Sequence, residues 1–323
     1  MRRDRDILVS VVIPVKNGDY WLRDTLKAIF NQRIKGGLEV IVIDSGSTDK
    51  SLDIISQFPV RLVQIEPSTF NHGRTRNLGV LMAKGEYVVM TVQDARPANE
   101  YWLQNLLDGF VDDTVAGVCG SQIVPHDKDK NPLAWFRPQR PPKIKKYQFP
   151  VSEFRSLPAD TKRQVCGWDD VTAMYRRNAL IKLPFRDTSF AEDLIWSMDA
   201  IMKGYSIVYN PAARVYHYHH DEPEFVLKRA FSEYFYFYRM LGYKPAPVNN
   251  GLMRKLRDIK LLIREEKLTW PEKWKWFVYN QRLRKRINES VHLFHEALAK
   301  GPQGLAEMHR ELCSTVPQAV KPS

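Results

Sequence analysis

The first hundred residues set a rhythm that few folds accept. Apolar, β-branched runs alternate with amphipathic ones. "ILVSVVIPV" (7–15) precedes "DYWLRDTLKAIFNQ" (19–32), "LEVIVIDSGS" (38–47) precedes "TDKSLDIISQF" (48–58), and "RLVQIEP" (61–67) precedes "GRTRNLGVLMAKG" (73–85) and then "EYVVMTV" (86–92). A nearly continuous apolar run is what a strand buried on both faces shows. The segments between place apolar residues three and four apart, as in Leu22, Leu26, Ile29 and Phe30, the signature of a helix with one buried face. Strand and helix in alternation predict an α/β fold: a mainly parallel, twisted sheet with helices on both faces.

The rhythm stops at residues 125–163. That stretch holds seven prolines and little periodicity. It reads as a long loop, and long loops in compact domains are often functional lids. Beyond it, "CGWDDVTAMYRRNALIKL" (166–183) reads as strand then helix and "SFAEDLIWSMDAIMKGY" (189–205) as a helix. "SIVYNPAARVYHYHH" (206–220) reads as two short strands about a turn at Asn210-Pro211. From Glu222 onward the chain is helical, aromatic and basic. The expected organisation is a catalytic domain over 1–220 and a helical extension over 221–323. Within the first, 1–124 is a donor-binding half, 125–163 a basic proline-rich loop and 164–220 an acceptor half.

Composition narrows the setting. No apolar run reaches the eighteen or so residues a spanning helix needs, and "MRRDRDILVS" contains no stretch apolar enough for a secretion signal. Three scattered cysteines, Cys119, Cys166 and Cys313, form no zinc spacing and suit a reducing compartment. The expected location is therefore cytoplasmic. The net charge of +12 is uneven. Residues 128–163 carry 10 Lys and Arg against 3 Asp and Glu, and residues 251–290 carry 12 against 5. In "KLTWPEKWKWFVYNQRLRKR" (267–286) tryptophans interleave with the cations, a pattern suited to the headgroup level of a membrane. An anionic membrane surface met through 251–290 is the expected partner. Nucleic acid is not, because no nucleic-acid-binding module is recognisable.

In a parallel α/β sheet, ligands bind beyond the carboxyl ends of the strands. Lys16 and Asn17 follow the first strand, Asp44 and Ser45 the second, and Asp94 the fourth. Asp44 can accept from a base N–H or a ribose hydroxyl. "SGSTD" adds hydroxyls such as Ser47 and free helix-end amides, and also reads as a plain helix cap. "STFNHGRTRNLG" (68–79) gathers His72, Arg74, Arg76 and Asn77 around Gly73 at a helix start, an anion-friendly arrangement.

"VVIPVKN", "VIVIDSGSTD", "TRNLGVLMAKGEYVV", the "QDA" step and "AEDLIW", in this order over residues 8–220, resemble the family-two glycosyltransferases. That family uses one nucleotide-sugar-binding domain, the GT-A fold. The resemblance implies that Asp44 contacts the nucleobase, Arg76 lies near the diphosphate or ribose, and Asp193 is the catalytic base, with Glu192 touching acceptor hydroxyls. It implies a donor site of Pro14, Lys16, Asn17, Asp44, Ser45, Ser47, His72, Gly73, Arg76, Asn77 and Gln93. The family usually carries Asp-x-Asp where this chain has Val92-Gln93-Asp94. The first acid is absent, so Asp94 alone supplies the carboxylate for Mg²⁺ or Mn²⁺; one carboxylate with diphosphate oxygens and water suits Mg²⁺. His217 or His219 of "VYHYHH", on one face if the segment is a strand, adds a ligand that favours Mn²⁺. Trp168, Asp169, Asp170 and Trp196 are the acceptor-side candidates, although Asp169-Asp170 equally reads as a plain loop.

"FNHGRTRN" and "QDA" are most similar to the bacterial rhamnosyltransferase branch, which uses dTDP-L-rhamnose to build surface polysaccharide. The resemblance implies an inverting transfer from that donor to a glycan or lipid-linked glycan. A UDP-hexose or UDP-N-acetylhexosamine donor is the alternative, and a catalytically silent sugar-nucleotide- or glycan-binding partner is a second.

Overall fold

The computed structural model describes residues 7–313 apart from 128, 136–142, 189 and 220. Its described residues form two compact units, 7–123 with 143–217, and 124–135 with 218–313. The sheet lies in the first. Strands β1 (Ile7–Val15), β2 (Gly37–Asp44), β3 (Arg61–Gln64) and β4 (Tyr87–Thr91) run parallel in the order β3-β2-β1-β4. Helices α1 (Leu22–Phe30), α2 (Ser51–Ile55) and α3 (His72–Met82) connect them. The alternation read from sequence is thus present in this half. Its cause is burial: Val9, Val11 and Ile13 of β1 meet Val40 and Val42 of β2 and Leu22, Leu26 and Ile29 of α1 in one core. Each such side chain contributes about 1.5–3 kcal/mol.

The other half turns antiparallel. It contains β5 (Arg96–Pro97), α4 (Trp102–Leu107), β6 (Val115–Ile123), β7 (Lys145–Tyr147), β8 (Thr172–Arg176), α8 (Arg177–Lys182), α9 (Glu192–Met202) and β9 (Ser206–Tyr216). β8 pairs antiparallel with both β4 and β6, while β9 runs parallel to β6 and antiparallel to β5 and β7. The sheet is therefore mixed and mostly parallel along its first four strands.

Two expectations change. Residues 206–216 are one strand, not two about a turn. Cys119 pairs with Tyr209 and Ser121 with Arg214, so Asn210-Pro211 is absorbed as a bulge. Gly120 permits it, since a Cβ there would lie 2.3 Å from the Ala213 carbonyl oxygen. The stretch 125–163 is not one loop either. It contains α5 (Pro132–Trp135) in the second unit, and β7, α6 (Val151–Ser156) and α7 (Ala159–Val165) in the first. The part of the predicted lid at 136–142 lies outside the described residues.

The second unit is helical: α10 (Pro223–Leu241), α11 (Leu252–Arg264), α12 (Trp270–Ala299) and α13 (Gly301–Cys313). The aromatic face of α10 packs inward, with Phe231 and Phe235 against Phe294 and Leu305. Leu262 of α11 packs with Leu268 and Trp276.

Candidate active site

Because β1 to β4 are parallel, their carboxyl ends open on one edge. The residues predicted there are present, but most of their polar groups hold the rim together. Asn17 adopts a left-handed backbone (φ 51°), which asparagine tolerates. Its N–H donates to Ser47 Oγ (2.9 Å), and its Oδ1 accepts from the Thr48 N–H (2.8 Å). Asp44 is wholly buried, its carboxylate accepting the N–H groups of Gly46 and Ser47 at 3.0 and 3.1 Å. Buried Ser45 donates from Oγ to the Val15 carbonyl (3.2 Å). Gln93 accepts the Lys16 N–H (2.9 Å) and donates to the Lys16 carbonyl (3.2 Å). Asp44, Ser45 and Gln93 therefore build the turns of this rim. Sequence position told where they stand, not what already occupies their oxygens. Half-buried Pro14 pairs with Ile43, past the last β1–β4 pair, Val12 with Met90.

The start of α3 is engaged in the same way. Asn77 donates to the Phe185 carbonyl (2.8 Å) and accepts the Phe185 N–H (3.0 Å). A Cβ at Gly73 would lie 2.3 Å from the Arg186 carbonyl oxygen, so only glycine lets that segment approach. These two residues dock 185–188 onto α3. His72 stays exposed, edge-on to Phe70 with ring centroids 4.9 Å apart.

Beneath this edge lies a buried charge cluster. Arg76 is buried between two carboxylates. Its Nη1 donates to Glu192 Oε1, and its Nε lies 3.0 Å from Asp170 Oδ2, an ionic contact without hydrogen-bond alignment. The Tyr175 hydroxyl donates to Asp170 and accepts from Trp168 Nε1 (2.6 Å). Trp196 donates from Nε1 to the Leu183 carbonyl (2.9 Å), with its ring 4.5 Å from that of Tyr175. Trp168 and Trp196 are core residues here, and neither offers a ring face to an acceptor. Glu192 and Asp170 both face Arg76. In a dry interior an unpaired charge is costly, so the three groups satisfy one another.

One guanidinium cannot neutralise every carboxylate around it. Burial pushes the Asp170 carboxyl up to about 7 against the pull of Arg76. Asp193, half-buried at the first turn of α9, is pushed well above the usual carboxylate range, by burial first and then by Asp170, Glu192 and Asp169. Its Oδ2 accepts the Asp170 N–H (3.3 Å), and its Oδ1 accepts the Leu194 N–H (2.7 Å). Ala191, immediately before α9, sits at φ 57°. A left-handed alanine costs energy that glycine would avoid, and it aims the Glu192-Asp193 turn.

A second group forms where β9 ends. The ligand atoms of Asp94, His217 and, two residues on, His219 lie within 4.8 Å of one another. Strand β9 stops at Tyr216, so the two histidines converge from an irregular segment rather than from one face of a strand. His217 Nε2 is 3.6 Å from Asp94 Oδ1, and its Nδ1 is 2.6 Å from Gln122 Oε1. Gln122 in turn donates from Nε2 to Asp169, which is half-buried and also accepts the Val171 N–H (2.9 Å). One carboxylate and two imidazoles in one small volume fit a divalent cation, with coordination positions left for phosphate oxygens or water. A partner on Nδ1 leaves Nε2 as the ligand atom. Asp169, expected on the acceptor side, joins this network.

Gln122 and Tyr175 escaped the sequence reading. Gln122 sits in β6, a strand given no expectation, and meets His217 95 residues away. Replacing Gln122 with alanine should weaken Mn²⁺ binding about 10–100-fold, the usual loss for a residue that orients a ligand. Titration calorimetry with Mn²⁺ checks this, and unchanged affinity would show that Gln122 does not orient His217.

Comparison with known proteins completes the picture. The family described as Glycosyl transferase family 2 matches residues 10–183. The chain is 32% identical over 233 residues to the O-antigen chain rhamnosyltransferase WbaN of Salmonella anatum, covering 70% of each protein. It is 30% identical over 230 residues to the O-antigen chain rhamnosyltransferase RfbN of Salmonella typhimurium, covering 69% of this chain and 70% of that one. Among solved structures, S. aureus TarS 1-349 in complex with UDP-GlcNAc aligns with a TM-score of 0.52 at 17% identity, covering 95% of this chain and 90% of that one. Mannosyltransferase PcManGT from Pyrobaculum calidifontis, in complex with GDP-Man and Mn²⁺, aligns with a TM-score of 0.51 at 19% identity, covering 93% and 77%. At such identities the structures show the fold alone, and it is the GT-A fold.

Proposed function

Since the chain belongs to glycosyl transferase family 2 and lies near that family's O-antigen rhamnosyltransferases, we propose that it moves L-rhamnose from dTDP-L-rhamnose to a glycan or lipid-linked glycan of bacterial surface polysaccharide. The names of its two relatives support the donor. The observation that carries the chemistry is Asp193. It is a half-buried carboxylate with raised proton affinity. It is tied through the Asp170 N–H and neighbouring Asp169 to Gln122, and so to the Asp94–His217 pair.

The acceptor O–H gives its proton to Asp193 as the oxygen attacks the anomeric carbon. The bond from that carbon to the diphosphate oxygen breaks, and the diphosphate leaves with the electron pair. One displacement inverts the anomeric centre. General-base catalysis by a positioned carboxylate typically contributes ~10²–10⁴-fold. Asp94, His217 and His219 would hold a divalent cation that offsets the charge growing on the leaving diphosphate, and imidazole ligands favour Mn²⁺ over Mg²⁺. Lys16, Asn17, Ser47 and His72 line the rim on which the donor lies. Arg76 acts from beneath, by fixing Asp170 and Glu192.

A UDP-hexose or UDP-N-acetylhexosamine donor is the second reading, favoured by a 90-residue likeness, at 29% identity, to the poly(ribitol-phosphate) β-N-acetylglucosaminyltransferase TarS. Retention of Asp193 above a charge cluster argues against a silent binding partner. A lipid-linked acceptor brings the protein to the cytoplasmic face of a membrane, with the basic 251–290 stretch towards anionic lipid. Among the described residues no helix is long and apolar enough to cross a membrane.

Thermal unfolding with a panel of nucleotide sugars tests the reading. At a hundred times its Kd, dTDP-L-rhamnose with Mn²⁺ should add about 2.7 kcal/mol of stability. Stabilisation by UDP-sugars alone would move the assignment to the second reading, and no stabilisation by any of them would remove the transferase reading.

A further inference from the structure

Helix α11 has two faces fixed by different chemistry. One is held inward. Asp258 is buried and ion-paired with Arg284 of α12 and with Arg254 (3.2 Å), while Leu262 packs against Leu268 and Trp276. A paired buried charge and a packed leucine on one side set the helix's rotation. A second side, about 110° around the helix from Asp258 and Leu262, faces water. It carries Leu252, Leu256, Ile259 and Ile263, all between 38 and 71% exposed. At 3.6 residues per turn these four lie within about 60° of arc. Exposed Lys260, Arg264 and Arg257 border that stripe on one side, with Met253 among them, and half-buried Lys255 borders it on the other.

The start of α12 repeats the pattern. Trp270 and Trp274 stand one turn apart, 69 and 66% exposed, with Lys273 Nζ 5.0 Å from the centre of the Trp270 ring. A helix that only covers a core puts its apolar stripe inside. Here the stripe is outside, edged by cations and followed by two water-facing indoles.

We infer that the solvent face of α11, with Trp270 and Trp274, is a docking surface for an anionic lipid membrane. The inference rests on the reading above that the acceptor is lipid-linked, and it names the surface that reading needs. Apolar side chains enter the acyl boundary, indoles settle at headgroup depth, and Lys and Arg meet the phosphates. Charge selects lipid over a second copy of the chain. Arg257, Lys260 and Arg264 are exposed beside the stripe while Asp258, the acid within α11, is buried, so apposing two such faces would set like charge against like.

The test is co-sedimentation of the full-length protein with vesicles containing phosphatidylglycerol and with vesicles of phosphatidylcholine alone. Wild type should bind the anionic vesicles at least tenfold more tightly, with tryptophan emission shifting to the blue and binding weakening as salt rises. Leu256→Ser with Ile259→Ser and Ile263→Ser should lose at least tenfold in vesicle affinity. These side chains are exposed, so the triple variant should keep the thermal stabilisation by dTDP-L-rhamnose and Mn²⁺. Equal vesicle binding by wild type and variant overturns the inference. So does a wild-type dimer, without lipid, that the variant lacks. Vesicle binding that persists when no nucleotide sugar stabilises the protein keeps the docking surface and removes the transferase reading; donor stabilisation with no vesicle binding does the reverse.

Discussion

Asp193→Asn should lower turnover by ~10²–10⁴ while donor affinity stays within about twofold. The substitution keeps the shape and one oxygen, so one of the two backbone N–H groups of Asp170 and Leu194 keeps its acceptor and the side chain stays in place. It removes the one thing an amide cannot do, which is take a proton from the acceptor hydroxyl. Turnover should therefore fall without a matching change in donor binding, because the lost interaction exists in the transition state. Steady-state kinetics with donor titration read both numbers. If both fall together, Asp193 is holding the donor site rather than accepting a proton.

Arg76→Met should cost about 3–5 kcal/mol of stability, the range for breaking a buried ion pair by removing one partner. The loss comes from what stays behind. Asp170 and Glu192 remain buried with no countercharge, beside Asp193. The penalty should depend on pH, and its sign follows from protonation. Asp170 is already pushed up to about 7, above an unfolded aspartate at about 3.9. The folded state therefore binds the extra proton between those values, and that contribution to stability is lost as pH rises through 7. The variant should unfold more easily at pH 8 than at pH 5. Urea denaturation at the two pH values checks this. A loss of under about 1 kcal/mol at both would mean the cluster is more solvated than its burial indicates.

The parallel half of the sheet was legible because its strands are buried on both faces, and nine-residue apolar runs such as 7–15 have few other uses. In the antiparallel half the segments of β8, α8 and α9 were legible, but their pairing was not. β6 pairs with β8 and β9 across long sequence separations, and no local pattern announces such partners. The bulge in β9 was misread as a turn because Asn-Pro carries the same local signal in both. At the site, Asp94 with His217 or His219 was anticipated from the family resemblance, and the structure brings the ligand atoms of all three together. Engagement was not anticipated. A sequence shows that Asp44, Gln93 and Arg76 stand near a ligand edge; it does not show that an adjacent amide, a loop backbone or two buried carboxylates already occupy them. Trp168 and Trp196 were acceptor-side candidates, and both are buried in an aromatic cluster with Tyr175.

The most direct measurement is the pH dependence of sugar release from dTDP-L-rhamnose, to acceptor or slowly to water, by wild type and Asp193→Asn. The account predicts a wild-type rate that rises with pH through a midpoint above the ordinary aspartate value of about 3.9, reporting a carboxylate that must first lose its proton, and a variant in which that rise is gone. A wild-type rate flat across the acid range, or a variant that keeps the wild-type rate and profile, would contradict the assignment of Asp193 as the base.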